Sequence, residues 1–127
     1  MRNKIGVIGA GLVGATAAFA LSQSGLASEI VLIDANAQRA RGEALDIEHG
    51  AALAPPVLVR DGDYPDLAEA HLVIIAAGAN QKSGETRLDL AQKNLAVIDS
   101  IVPQVARYAP ECVLLVVSNP VDVLTWR

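Results

Sequence analysis

The sequence predicts an α/β domain with a doubly wound parallel sheet, and three observations lead to this class. Short runs rich in β-branched residues alternate with longer helical patterns, which is typical of parallel strands joined by crossover helices. The runs are continuously apolar, as in strands that are covered on both faces. Hydrophobic residues make up 52% of the 127 residues and charged residues 19%, so the chain can bury a core as one domain.

The first half of the chain contains two predicted strands, each followed by a predicted helix. Lys4–Ile8 is an apolar run that predicts the first strand, and the helical pattern after it covers about Val13–Ser24 and ends at a glycine. Glu29–Ile33 predicts the second strand. The second helical pattern covers about Gln38–Leu53, with small and apolar residues three or four positions apart, and Pro55 ends it.

The second half of the chain continues this alternation. A loop at residues 78–84 leads into a helical stretch over Thr86–Tyr108, where Pro103 is expected to kink the helix or to divide it into two. Val121–Arg127 has the pattern of the beginning of another helix. The remaining predicted strands are Val57–Arg60, Leu72–Ala77 and Val113–Val117.

Composition and charge exclude several classes of function. The net charge is −4 and the aromatic residues are one Phe, two Tyr and one Trp, so we expect no nucleic-acid partner. No apolar stretch reaches the roughly 18 residues of a membrane span, so no membrane partner is expected. The single cysteine, Cys112, lacks a metal-ligand neighbour, and Asp46 with His49 is too small a ligand set for a metal site. One unpaired cysteine fits a reducing, cytoplasmic location.

Gly9, Gly11 and Gly14 fit the dinucleotide-binding pattern G-x-G-x-x-G, after a predicted strand and at the beginning of a predicted helix. In this pattern the first glycine permits a tight turn, the second lets a pyrophosphate approach the backbone, and the third lets the helix approach the strand. The beginning of the helix then offers free N–H groups to the phosphates. The pattern therefore predicts a dinucleotide site across this turn.

Asp34 strengthens this interpretation because it ends the second predicted strand, 20 positions after Gly14, where a ribose-binding carboxylate belongs. Its charge would accept hydrogen bonds from the ribose hydroxyls and repel a 2′-phosphate, so NAD is favoured over NADP. The alternative is an ordinary strand–helix junction, which the agreement of spacing, strand, helix and acid disfavours. Arg39 is placed to reach the adenosine, although a solvated arginine at a helix start would look the same.

Two further segments follow predicted strands at the carboxyl edge of the sheet, where open α/β sheets bind ligands. Residues 78–87 carry two glycines with polar residues between them, as in a lid that closes over a site. Residues 118–122, Ser-Asn-Pro-Val-Asp, would face the same crevice. An asparagine there can donate to a substrate oxygen, and an arginine on a closing lid can polarise a carbonyl.

These motifs resemble those of the NAD-dependent L-lactate and malate dehydrogenases, most closely the bacterial L-lactate dehydrogenases. The similarity covers Lys4–Arg127 and depends on GAGLVG, Asp34, AGANQKSGETRLDL and SNPVD. It implies a Rossmann-type sheet of strand order 3-2-1-4-5, from which the sixth strand and the substrate domain are absent. It also implies hydride transfer between L-lactate and pyruvate, with NAD as the cofactor, in a homo-oligomer that is a tetramer in the family.

The resemblance also implies functional residues. Arg87 resembles the lid arginine that polarises the carbonyl of the keto acid, and Asn119 the asparagine that binds the same oxygen, so these are the expected catalytic residues. Gln81 resembles the specificity residue, and Asp122 is expected to face the substrate with the other three. The residues expected to bind NAD are Gly9, Gly11, Val13, Gly14, Asp34, Arg39, Tyr64, Gly78, Ala79, Ser100, Val117 and Asn119.

Gln81 favours pyruvate over a dicarboxylic acid as the substrate. The family's malate dehydrogenases have arginine at this place, and an arginine in a dry site without a second carboxylate would be an unpaired charge that costs several kcal/mol. Part of a malate dehydrogenase is therefore a disfavoured alternative. A dinucleotide-binding module that has lost catalysis is another, although it would have no use for Gln81 and Arg87.

The catalytic histidine of the family, its aspartate partner and the arginine that binds the substrate carboxylate come later in the chain. His49 and His71 fit surface histidines better, or interface histidines, since the helix of His49 packs between subunits in the family. We therefore expect residues 1–127 to form a dinucleotide-binding domain that is incomplete at its C-terminus and inactive on lactate alone. Its last strand would be an unprotected edge.

Overall fold

The fold is described by a computed structural model that covers residues 3–50, 56–78, 83–118 and 124–125. The strands are β1 (Lys4–Ile8), β2 (Glu29–Ile33), β3 (Leu58–Asp61), β4 (Leu72–Ile75) and β5 (Val113–Val116). The α-helices are α1 (Leu12–Ser24), α2 (Ala37–Gly50) and α3 (Arg87–Tyr108), and a short 3-10 helix covers Tyr64–Leu67.

The sheet has the strand order β3-β2-β1-β4-β5, and every neighbouring pair is parallel. This confirms the predicted doubly wound sheet and its strand order. In the register, Val7 of β1 lies beside Leu32 of β2 and Ile74 of β4. The chain runs outward from β1 to β3 and then returns to β4 on the other side of β1. Its connections therefore diverge at the carboxyl ends of β1 and β4, which is where open α/β sheets form a ligand crevice.

Two apolar clusters cover the two faces of the sheet. On one face Ile30 and Leu32 pack with small residues of α1 and α2, including Ala18 and Ala44. On the other face Val31 packs in a cluster with α3, whose buried apolar residues there are Ile98, Ile101 and Val105. Because β1, β2 and β4 are covered on both faces, their sequences are continuously apolar, as predicted.

The helix α3 is continuous over Arg87–Tyr108, so of the two effects expected of Pro103, a kink or a division of the helix, the division does not occur. A proline removes one backbone N–H from a helix, but Pro103 lies on the exposed side, where water can replace the missing bond. Ile98 and Val105 are buried on either side of the proline and hold both parts of the helix against the sheet. None of the described helices has the length and apolar character needed to cross a membrane.

The segment after β3 contains the 3-10 helix Tyr64–Leu67, which is not among the elements predicted from the sequence. The Asp63 carboxylate accepts a hydrogen bond from the Tyr64 N–H at 2.8 Å, and Asp66 accepts one from the Asp63 N–H at 2.8 Å. This reciprocal capping, with Pro65 at the helix start, fixes the turn. The Asp-x-Pro-Asp spacing was present in the sequence as a signal for it.

β5 forms one edge of the sheet, and within the described ranges it pairs with β4 alone. Val113 is 66% exposed and Leu115 is 47% exposed. Apolar side chains at an exposed edge strand are typical of a surface that another segment covers.

Candidate functional site

A crevice of about 820 Å³ opens at the carboxyl ends of β1, β2 and β4. Its wall brings together residues from the first glycine turn, the β2–α2 connection, the 3-10 helix and α3. Of the residues predicted to bind NAD, the following line it: Gly9, Gly11, Asp34, Arg39, Tyr64, Gly78 and Ser100.

The glycine turn between β1 and α1 is closed by backbone contacts. Gly9 has φ +105°, which a residue with a side chain rarely adopts, and its N–H donates to the Ile33 carbonyl oxygen at 2.7 Å. Gly14 is buried, and a Cβ built on it would lie 1.7 Å from the Gly9 carbonyl oxygen. The two glycines therefore allow the first turn of α1 to sit directly on the end of β1.

Gly11 has a different environment, because a Cβ built on it meets no atom within 4 Å. The space in front of this residue opens into the crevice, so the protein itself does not require glycine here. Gly11 is also the N-cap of α1, without a side-chain cap and without an acidic residue in the first turn. The N–H groups of that turn can therefore bind an anion, and an open Gly11 leaves room for a pyrophosphate.

Asp34 connects the glycine turn to the start of α2. Its Oδ1 accepts a hydrogen bond from the Ala10 N–H at 3.3 Å, and its Oδ2 accepts one from the Asn36 N–H at 3.3 Å. The Asn36 side chain in turn accepts from the Arg39 N–H at 3.2 Å. This series of hydrogen bonds fixes the carboxylate at the crevice wall, where it remains partly exposed.

Tyr64 lines the crevice from the 3-10 helix after β3. Burial raises the pKa of the Tyr64 hydroxyl above its ordinary value of 10.0, and the charge of Asp63 raises it further. The hydroxyl is therefore protonated at neutral pH. The apolar residues Val97 and Ile101 of α3 flank Ser100 on this side of the crevice.

Two buried polar side chains, Ser118 and Asn94, lie against the end of β4 and the residues that follow it. The Ser118 hydroxyl, directly after the β5 region, donates to the Ala77 carbonyl oxygen and lies 3.3 Å from the Ile75 carbonyl oxygen. Asn94 of α3 is 2% exposed, and a Cβ built on Gly78 would lie 2.9 Å from its Oδ1. The Ser118 hydroxyl therefore holds the backbone after β4, and Asn94 packs directly against Gly78.

Not every predicted site residue lines the crevice. Gly14 is buried behind the turn, whereas Val13 and Val117 are exposed outside the crevice lining. Arg87 is exposed at the first position of α3 and is also outside the lining. The remaining predicted residues, which lie outside the described residues, are Ala79, Gln81, Asn119 and Asp122.

The crevice also contains residues that the sequence did not single out. Ile8 and Ile33 come from the ends of β1 and β2, and Ala35 and Ala37 from the connection that follows Asp34. Ile8 and Ile33 could have been predicted as crevice residues, because each ends a strand beside the glycine turn or Asp34. Val97 and Ile101 had only a weak signal, since their spacing of four residues on a helix equally fits ordinary core packing.

His49 and His71 lie away from the crevice. His71 precedes β4, and its N–H donates to the Lys4 carbonyl oxygen at the amino edge of the sheet. His49 is in the last turn of α2, the helix that runs back toward that same edge. Within the part of the chain that the structure describes, no three His, Cys, Asp or Glu side chains are grouped as metal ligands.

Residues 3–126 match the model of the lactate/malate dehydrogenase NAD binding domain. The chain belongs to this family. The match confirms the predicted resemblance and the prediction of NAD as the cofactor of this domain. The open glycine turn and the adjacent carboxylate fit that cofactor, because they offer an anion site beside an acceptor for ribose hydroxyls.

Among curated relatives, the L-lactate dehydrogenase 1 of Clostridium acetobutylicum is 58% identical over 124 residues, which are 98% of this chain and 40% of that protein. An L-lactate dehydrogenase of Clostridium perfringens is 56% identical over 124 residues, covering 98% of this chain and 39% of the relative. The chain thus spans about two fifths of the length of these relatives.

Solved structures of the family have the same fold. The minor L-lactate dehydrogenase of Enterococcus mundtii, in a ligand-bound form, has a TM-score of 0.94 and 43% identity, over 98% of this chain and 40% of that one. The malate dehydrogenase of Archaeoglobus fulgidus, in complex with NADH, has a TM-score of 0.90 and 42% identity, over 97% of this chain and 42% of that one.

Proposed function

We propose that this chain is the NAD-binding part of an L-lactate dehydrogenase that interconverts L-lactate and pyruvate. The observation that carries the proposal is the open space at Gly11, directly beside the fixed carboxylate of Asp34. The identity of 58% to an L-lactate dehydrogenase supports the substrate.

The described residues suggest how the cofactor would be held. The pyrophosphate would lie over Gly11, where the first turn of α1 offers N–H donors. Asp34 would accept hydrogen bonds from the adenosine ribose, and the apolar side of α3 at Val97 and Ile101 would cover the base. Bound NAD supplies the hydride acceptor, and the chain contributes binding and orientation.

At the substrate end we propose Arg87 and Asn119 as the groups that bind the carbonyl oxygen of pyruvate. A guanidinium and an amide both donate to an oxygen that gains negative charge as hydride arrives. Gln81 and Asp122 would face the rest of the substrate. An uncharged Gln81 leaves room for the pyruvate methyl group and offers oxaloacetate no ion pair, which favours lactate dehydrogenase over malate dehydrogenase.

The location and the oligomeric state of the whole protein are also proposals. We propose a cytoplasmic homo-oligomer, with α2 at a subunit interface, and the 47% exposure of Leu45 on α2 supports this surface. We also propose that residues 1–127 alone turn over no lactate, because neither His49 nor His71 lies at the crevice to act as the base. Lactate-dependent NADH formation by the isolated chain would contradict this.

The test is a chimera in which residues 3–126 replace the matching part of the Clostridium acetobutylicum L-lactate dehydrogenase 1. We expect this chimera to oxidise NADH with pyruvate and much more slowly with oxaloacetate. A preference for oxaloacetate would indicate a malate dehydrogenase instead. A folded chimera that binds NADH in calorimetry but reduces neither acid would indicate a binding module without catalysis. The unaltered host enzyme is the control.

A further inference from the structure

We propose that Arg60 is a positioning residue for the cofactor crevice and that it acts through Tyr64. Arg60 holds the beginning of the 3-10 helix Tyr64–Leu67 against the sheet, and Tyr64 lines the crevice from that helix. Arg60 itself is not among the residues that line the crevice, so it would influence the cofactor without touching it. The inference rests on the proposed cofactor site, and it adds a residue that the sequence motifs do not include.

The Arg60 guanidinium connects two acidic residues from different parts of the fold. Its Nε lies 2.9 Å from a Glu29 oxygen at the start of β2, and its Nη1 lies 3.1 Å from Asp66 Oδ1 on the 3-10 helix. The Glu29 side chain is only 12% exposed, so this end of the connection is fixed against the sheet. Arg60 therefore ties the 3-10 helix to β2, and its planar fork of donors allows both contacts at once.

The connection continues from Asp66 to Tyr64 through the capping of the 3-10 helix. Asp66 accepts the Asp63 N–H with its second oxygen, Oδ2, at 2.8 Å, and Asp63 Oδ1 accepts the Tyr64 N–H at 2.8 Å. One carboxylate thus binds both the guanidinium and the backbone at the beginning of the helix. Loss of the Arg60 contact would therefore loosen the turn that carries the Tyr64 side chain.

The other end of the 3-10 helix has separate anchors. Leu67 is fully buried, and it packs so closely against β1 that a Cβ on Gly6 would overlap with it. The Lys4 amine donates to the Ala68 carbonyl oxygen at 3.1 Å, directly after the helix. Because these contacts do not involve Arg60, its replacement should leave the helix on the sheet and shift only the beginning of the helix. We therefore expect cofactor affinity to change more than folding does.

The experiment measures NADH affinity by calorimetry in the chimera, with Arg60→Gln as the test variant. The dissociation constant for NADH should rise by about threefold to tenfold, as expected for losing ion pairs that solvent partly screens. The kcat for pyruvate reduction at saturating NADH should not fall, because Arg60 does not touch the reacting groups. The matched control is Arg107→Gln, which removes the same charge from an exposed position in the last turn of α3, outside the crevice, and should leave the affinity unchanged.

A second background separates positioning from a general effect of charge. If Arg60 acts through Tyr64, adding Arg60→Gln to Tyr64→Ala should raise the NADH dissociation constant by less than about twofold. A direct attraction between the guanidinium and the phosphates of NADH would persist in that background, because it does not involve the tyrosine ring. A larger rise in Tyr64→Ala would therefore overturn the inference, as would an unchanged affinity in Arg60→Gln with Tyr64 present.

Asp66 provides an independent variant if Arg60→Gln does not fold. Asp66→Asn weakens the contact with the guanidinium, while the remaining oxygen can still accept the Asp63 N–H. We expect this variant to bind NADH more weakly, whereas Asp61→Asn, which changes an exposed acid at the end of β3, should not. Equal NADH affinities in these two variants would overturn the inference.

The proposed function and the role of Arg60 fail separately. A chimera that binds NADH but does not reduce pyruvate contradicts the proposed function, whereas its dissociation constants still report on Arg60. An active chimera with unchanged NADH affinity in Arg60→Gln contradicts only the role of Arg60.

Discussion

The Gly9 carbonyl oxygen occupies the space that a side chain at Gly14 would need, since a Cβ on Gly14 would lie 1.7 Å from it. The contact is between the backbone of the turn and the first turn of α1, so no flexible side chain can move to relieve it. The position of α1 on the sheet therefore depends on the missing side chain at Gly14.

We expect Gly14→Ala to lower the free energy of unfolding by about 3 kcal/mol, because overpacking against backbone forces the helix away from the turn. Chemical denaturation monitored by circular dichroism of the chimera measures this. A variant as stable as the parent would show that α1 does not require the close approach.

Gly11→Ala, in contrast to Gly14→Ala, is expected to leave the stability almost unchanged and to weaken NAD binding. Its Cβ would meet no protein atom within 4 Å, so the unfolding free energy should change by less than about 1 kcal/mol, the usual range for an N-cap change. The added methyl group would hold the pyrophosphate away from the N–H donors and weaken NAD binding by about tenfold or more. Calorimetry with NAD measures the affinity. Unchanged affinity would place the pyrophosphate elsewhere.

Ser118→Ala removes the hydroxyl that holds the end of β4. We expect the unfolding free energy to fall by about 1 to 2 kcal/mol, because buried carbonyl oxygens lose a donor. Ser100→Ala is the matched control, since the Ser100 hydroxyl is exposed and donates to Val97 in its own helix. A similar loss in both variants would contradict a special role for Ser118.

Gln81→Arg tests the substrate assignment, at a position outside the described residues. In the chimera, the ratio of kcat/KM for oxaloacetate to that for pyruvate should rise by about tenfold or more, because the new guanidinium pairs with the second carboxylate. Gln81→Lys is a useful comparison, since it adds the same charge without the planar donor pair. An unchanged ratio in Gln81→Arg would remove the case for Gln81 as the specificity residue.

Asp66 gives a prediction about pH. The Asp63 N–H and the Arg60 guanidinium hold the pKa of Asp66 below its ordinary value of 3.8. A lowered carboxyl pKa stabilises the fold above the unfolded pKa, and that stabilisation is lost as pH falls from about 3.8 through the folded value. Asp66→Asn should therefore show a flatter loss of stability in this acid range than the parent.

Thermal unfolding of the chimera between pH 5 and pH 2, within the usual range of acid denaturation, measures this slope, at roughly half-unit steps. Because Asp66 is partly exposed, solvent screens its pairing with Arg60 and the effect should be small. The control is Asp61→Asn, an exposed acid at the end of β3. Equal acid slopes in the parent and Asp66→Asn would contradict the prediction.

Much of the fold was predictable because its signals are local. Continuous apolar runs mark strands buried on both faces, and the β1, β2 and β5 regions were placed within one residue of their observed bounds. The glycine turn and Asp34 were also predictable, since a strand, a turn and a helix impose fixed spacings on these residues. The sequence could not decide whether Pro103 divides α3, because the cost of a proline depends on which side of the helix it faces, and tertiary packing decides that.

The sequence by itself determined the order of the strands and helices, the glycine turn and the acid that follows β2, because each depends on backbone geometry over a few neighbouring residues. The family resemblance already placed Tyr64 and Ser100 in one site with Gly9, but only the tertiary structure decided that Asn94 lies under Gly78, that Ile8 and Val97 line the same crevice, and that the space at Gly11 is open. These relationships join residues far apart in the chain, and the packing of α3 and the 3-10 helix on the sheet creates them.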